Sequence, residues 1–265
     1  MIRVLMLDFG ETLVHWETPF PNVPGALQAL KQFRAASGVP LQLALVADCH
    51  MPSTGATPAR IDEVFQEYLT LLDAAGLRTF FEPVSRHVTL SAHAGVLKPD
   101  PRVFSLALTR LGLLAAWDEC LIISDDWEQL AACRKLGMST LRFSGIPADE
   151  TCFLDWSEAP LLVAFRVDPD NRDNLLLALG VFLAARHAMQ LIAIEDVSAD
   201  GLVRATARPL RRLDADAPAE SDGVSENLPL PITVRLTSAG RVAEVGGELP
   251  AKAFGREAEW STAKT

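Results

Sequence analysis

The stretch over residues 3–14, RVLMLDFGETLV, constrains this chain more than any other. Val4, Leu5, Met6 and Leu7 form a short apolar run without polar alternation, and it stops abruptly at Asp8. Such a run suits a strand buried on both faces, as in a parallel sheet covered by helices. In open α/β sheets, ligands bind just beyond the carboxyl ends of the strands, and Asp8 falls there. Gly10 is expected to let the backbone turn sharply beside it. An acidic residue closing a strand is also an ordinary ending, so the rest of the chain has to decide.

The pattern recurs. Residues 41–46 make a second strand-like run closing in Ala47 and Asp48, and 87–90 a third. Residues 120–123 make a fourth, ending in Ser124, Asp125 and Asp126, and 139–143 a fifth. Helices are expected over 25–36, over 58–75 with Thr57 as N-cap and Pro58 at the first position, over 103–111 and over 128–136. Ile61, Val64, Phe65, Tyr68, Leu71, Leu72 and Ala75 give the second of these one apolar packing face. The alternation predicts an α/β core over residues 1–150, a doubly wound, parallel, five-stranded Rossmann-like sheet.

Past about residue 155 the alternation stops. Residues 161–167 read as a strand and 171–187 as a helix apolar almost all round. Two hairpins follow, 190–195 with 202–210 and 232–236 with 241–245, turning at 198–201 and 238–240. Together they predict a smaller C-terminal α+β domain over residues 158–255, of βαβββ type, attached rather than interleaved. Residues 214–227 are acidic without large apolar side chains and read as a mobile loop, and the tail beyond 254 as poorly ordered.

Composition narrows the classes. Of 265 residues, 49% are hydrophobic and 22% charged, which suits a globular protein with ample core. The net charge of −10 argues against an extended nucleic-acid surface. Cys49, Cys120, Cys133 and Cys152 show no CxxC pairing, against a zinc site or a disulfide framework, and Cys120 and Cys133 read as core. The chain opens directly on a strand, and its most apolar run, 175–185, is too short to cross a bilayer. The expectation is a cytoplasmic protein without a membrane.

Three strand ends therefore carry chemistry: Asp8, Asp48, and Asp125 with Asp126. Lys98 lies in the connection Gly95-Val96-Leu97-Lys98-Pro99-Asp100. In a doubly wound sheet these ends converge on one rim. Clustered carboxylates call for a cation, and an oxygen-rich set suits Mg²⁺. A lysine beside them can hold an anionic group such as phosphate.

With these motifs in view, residues 1–145 resemble the haloacid dehalogenase-like superfamily. Asp8-Phe9-Gly10-Glu11-Thr12 resembles its first motif and Lys98-Pro99-Asp100 its third. Ser124-Asp125-Asp126, running on to Leu136-Gly137-Met138, resembles its fourth. The resemblance implies a Mg²⁺-dependent phosphatase in which Asp8 attacks phosphorus and water hydrolyses the aspartyl-phosphate. It implies Asp8 and Lys98 as catalytic residues, and Asp8, the Gly10 carbonyl, Asp125 and Asp126 around Mg²⁺. Lys98, Ala47 and Asp48 would then face the phosphate of a phosphorylated substrate.

Two positions depart from the family pattern. Where a second aspartate usually serves as general acid and base, this chain has Gly10. Where a Ser or Thr hydroxyl usually closes the second motif, it has Ala47, followed by Asp48. The departures keep a second reading open, a catalytically silent domain kept as a binding or assembly scaffold. A dehalogenase ranks third, since no cap encloses a small substrate. Glu11, His15, His50, His87 and His93 read as solvated or structural, and Trp16 as a buried aromatic. The core is expected to be essentially capless, with the C-terminal module as a candidate cover. Its apolar helix leaves open a homo-oligomer or a protein partner through that module.

Overall fold

The computed structural model describes residues 1–49, 57–144, 151–210 and 228–247. The expected loop over 214–227, the tail beyond 254 and His50 lie outside the described residues. The chain divides into two compact units, Met1–Val181 and Phe182–Thr265.

In the first unit, β1 (Val4–Leu7) leads through a small hairpin, β2 (Val14–His15) and β3 (Thr18–Pro19), to α1 (Val23–Leu30). Next come β4 (Gln42–Ala47), α2 (Pro58–Ala74), α3 (Val84–His87), β5 (Val88–Leu90), α4 (Ser91–Ala94) and α5 (Pro101–Leu111). Then follow β6 (Cys120–Ser124), α6 (Trp127–Leu136), β7 (Ser139–Phe143), β8 (Cys152–Phe153), α7 (Ala159–Val167) and α8 (Arg172–His187), the last continuing past Val181 into the second unit. The helix expected over 25–36 is shorter than its apolar spacing suggested, and Trp16 is exposed rather than buried.

The sheet is parallel throughout, in the order β5-β4-β1-β6-β7-β8. It has six strands, not the five expected, because the added β8 is two residues long and too short for any periodicity to register. β1 and β6 are wholly buried, as strands covered on both faces must be. On one face Val4, Met6, Val46 and Ile122 pack with Val103, Phe104 and Ala107 of α5 and Leu130 and Cys133 of α6. Leu5, Leu7 and Leu45 are equally buried and alternate to the other face.

The segment expected as a strand over 161–167 is instead the helix α7. An unbroken apolar run does not separate a buried strand from a buried helix by period, and α7 is buried on nearly every side. Pro160 in its first turn was the available start signal. With α7 helical, the βαβββ pattern fails. α8 begins against the first unit, where buried Asn174 accepts from the Arg34 amide at 3.0 Å and donates to its carbonyl at 2.8 Å.

The second unit contains an antiparallel sheet of β9 (Met189–Val197), β10 (Leu202–Pro209), β11 (Leu230–Leu236) and β12 (Val242–Gly247), in the order β12-β11-β10-β9. Val203, Ala205 and Ala207 on β10, and Ile232, Val234 and Leu236 on β11, alternate into its buried face. Gly201 turns the β9–β10 hairpin at φ +80, where a Cβ would collide with the Leu236 carbonyl. No helix among the described residues is long and apolar enough to cross a membrane.

Candidate active site

The strand order fixes where a site belongs. From β1 the chain builds outward to β4 and β5, then returns to add β6, β7 and β8 on the other side. In such sheets ligands bind at the reversal of strand order, beyond the carboxyl ends of the flanking strands, here β1 and β6. Asp8 follows β1, and Asp125 follows β6. The Asp8 amide donates to the Ile123 carbonyl at 3.0 Å, so the two strand ends stay paired as they leave the sheet.

Asp8 is the most tightly held group there. Its Oδ1 lies 2.6 Å from Lys98 Nζ, with both side chains largely buried, and accepts from the Phe9 amide at 2.8 Å. Its Oδ2 accepts from Ser124 Oγ at 2.9 Å. Ser124 Oγ in turn accepts from the Asp126 amide at 3.1 Å. The backbone of Lys98 is fixed from β4: its amide donates to Asp48 Oδ1 at 2.9 Å. Asp48 thereby positions the lysine, while buried Ala47 brings only its backbone.

Thr12, fully buried, latches the two motif loops together. Its hydroxyl donates to Asp125 Oδ1 and accepts from the Asp125 amide, both at 2.9 Å. Its carbonyl accepts from Trp156 Nε1 at 2.8 Å. Asp126 caps α6, its Oδ1 accepting from the Glu128 and Gln129 amides at 2.8 and 3.1 Å. That is the standard use of an aspartate at an N-cap.

The structure thus brings Asp8, Lys98, Asp48, Asp125 and Asp126 into one network and leaves His15, His87 and His93 out of it. His87 Nδ1 meets the Leu43 carbonyl, and His93 Nδ1 accepts from the Leu90 amide. Glu11 and His15 pair with each other in the open, at 2.9 Å. The chain turns directly after Gly10, which itself does not take a left-handed φ; Glu11 beside it does, at φ 54. Ser124 and Thr12 belong to the quoted motifs, but nothing in the sequence assigned them these bonds. The one signal for Ser124 was a hydroxyl closing an otherwise apolar strand.

The charge balance is uneven. Burial raises the Asp48 carboxyl above its ordinary value, and the charges of Asp8 and Asp126 add to the shift against the lowering by Lys98. Burial likewise raises Asp125, with Asp8 and Asp126 adding and the Thr12 hydroxyl opposing. Four carboxylates around one lysine leave a surplus of negative charge that a cation would relieve. Among the described residues, no three His, Cys, Asp or Glu side chains converge as a metal-binding group. Mg²⁺, however, is commonly bound through one or two carboxylates, with waters and substrate phosphate completing its shell. Asp8 and Asp125 stand at the ends of the adjacent strands β1 and β6, the carboxylate pair such a shell would use.

No family model matches the chain, and no curated protein matches it. Solved structures do. An HAD phosphatase from Thermococcus onnurineus is 18% identical, over 55% of this chain and 58% of that one, with a TM-score of 0.38. L-2-haloacid dehalogenase from Xanthobacter autotrophicus is 17% identical, over 69% and 88%, at 0.40. An HAD family hydrolase from Deinococcus radiodurans, solved with bound phosphate and sodium, is 19% identical, over 56% and 60%, at 0.36. Likenesses this distant transfer no activity to this chain.

Proposed function

We propose that this chain is a phosphomonoester hydrolase of the haloacid dehalogenase-like kind, with Asp8 as its nucleophile. The observation that carries the reading is the largely buried Asp8–Lys98 pair at the sheet's reversal point, 2.6 Å apart, with Asp125 latched beside it through Thr12. A carboxylate held by fixed donors is preorganised for attack.

In the reaction, an Asp8 carboxylate oxygen attacks phosphorus. The bond from phosphorus to the ester oxygen breaks, and the leaving group departs with that electron pair. Water then attacks phosphorus, the bond to Asp8 breaks, and the carboxylate and inorganic phosphate are released. Lys98 offsets the charge on the transferring group, and Ser124 holds the second Asp8 oxygen against rotation. Mg²⁺ bound by Asp8, Asp125 and the Gly10 carbonyl would supply Lewis-acid stabilisation of the phosphoryl oxygens. With Gly10 in place of an acid, the leaving group receives no proton from that position.

Turnover of aryl phosphates of graded leaving-group pKa tests the reading. The expected result is Mg²⁺-dependent hydrolysis that falls steeply as the leaving group becomes more basic, and is lost in Lys98→Ala. Hydrolysis indifferent to Lys98→Ala contradicts it. One observation favours a second reading, the silent scaffold: both Asp8 oxygens already accept from protein donors. Absence of turnover by folded wild type at high enzyme concentration selects that reading.

A further inference from the structure

Tyr68 combines burial with a missing bond at the edge of the site. It lies on α2, is 7% exposed, and is the chain's one tyrosine. Its ring packs on that of Phe9, centroids 5.2 Å apart and planes tilted by 55°. Phe9 directly follows Asp8. The Tyr68 hydroxyl is buried with no hydrogen-bond partner among the described residues. An unsatisfied buried hydroxyl costs about 1–3 kcal/mol. The other buried side chains of α2, Val64, Leu69 and Leu72, are apolar. A phenylalanine would fill the same place without that penalty, so packing gives no reason for the hydroxyl.

The surroundings give one. Burial, together with the charges of Asp8, Cys49 and Asp48, holds the phenol well above its ordinary pKa of 10.0, so it remains a neutral donor. An anion entering beside Asp8 and Asp48 meets like charge. A donor that adds no further negative charge is what such a corner lacks, because Ala47, at the end of β4, has no hydroxyl.

We propose that Tyr68 is a substrate-contacting residue, whose hydroxyl donates to an anionic oxygen of the bound phosphate group from α2, in place of the hydroxyl absent at Ala47. The inference rests on the phosphate-ester reading above and deepens it by naming a donor for the anion. It also gives the Phe9–Tyr68 contact a role: Phe9 fixes the phenol beside the nucleophile's own segment.

With one tyrosine in the chain, biosynthetic incorporation of 3-fluorotyrosine places a single ¹⁹F reporter at this position. Inorganic phosphate, titrated with Mg²⁺ present, is expected to shift that resonance saturably. In calorimetry, Tyr68→Phe is expected to bind inorganic phosphate about ten- to a hundredfold more weakly, the range for a hydrogen bond to a charged group. Its melting temperature should equal or exceed wild type, since an unsatisfied group is removed. Equal affinity in wild type and Tyr68→Phe overturns the proposal, whatever the resonance does. Failure of wild type to bind inorganic phosphate at all overturns the phosphate-ester reading itself, and this proposal with it.

Discussion

On the proposed function, Gly10 is the residue on which the rate turns. A Cβ built there meets nothing within 4 Å, and its backbone is not left-handed. A carboxylate can therefore be installed without strain. General acid–base help is worth about 10²–10⁴ in rate, so Gly10→Asp is expected to speed hydrolysis of poorly activated phosphate esters by up to that range. An unchanged rate would show that proton transfer to the leaving group is not limiting. Asp8, Lys98 and Asp125 were legible in the sequence because each sits at a strand end or a punctuated loop, where motif and topology coincide. Thr12 and Ser124 were legible only as motif letters, and Tyr68 only as part of an apolar stripe. A hydroxyl's bonds depend on which loop meets which, and spacing does not carry that.

At the scale of elements, Asp126 separates two roles that the sequence merged. Its Oδ1 caps α6, while the family resemblance assigned it to the metal. Asparagine caps as well as aspartate but brings no charge. If capping is its work, Asp126→Asn keeps both stability and turnover, and Asp126→Ala loses about 1 kcal/mol on denaturation. Loss of Mg²⁺-dependent turnover in Asp126→Asn, with stability retained, would restore it to the metal. The start of α2 was readable because Thr57 and Pro58 act locally as cap and first turn, whereas α5 begins at Pro101, two residues before the expected 103. α7 was misread because near-complete burial erases the period that tells helix from strand, and β8 was missed because two residues have none.

For the whole molecule, the buried ionisable groups predict how stability responds to acid. Burial and the Arg110 charge lower His93 from 6.5 to about 4 in the folded chain. The stabilisation it contributes is present above pH 6.5 and lost as pH falls towards 4, since the unfolded chain takes up the proton first. Raised carboxyls such as Asp48 act with the opposite sign: their contribution is present below the ordinary value of 3.8 and lost as pH rises through the elevated one. His93→Asn, which retains an acceptor for the Leu90 amide, is therefore expected to lose less stability than wild type between pH 6.5 and 4.5 in denaturant titrations. An identical loss would mean that other groups govern the acid limb. The division into two units falls at Val181 and Phe182, inside α8. A continuous apolar helix has no linker composition to announce such a boundary.

If Asp8 carries the phosphoryl group, as proposed, the mass of the intact protein will show it. Without an acid–base residue at Gly10, hydrolysis of the aspartyl-phosphate is expected to be slow enough for the intermediate to accumulate. Rapid acid quenching after mixing with an activated aryl phosphate and Mg²⁺ should then reveal a single phosphoryl adduct, located at Asp8 and missing from Asp8→Asn. Undiminished turnover by Asp8→Asn, or an adduct located at any other residue, would contradict the account.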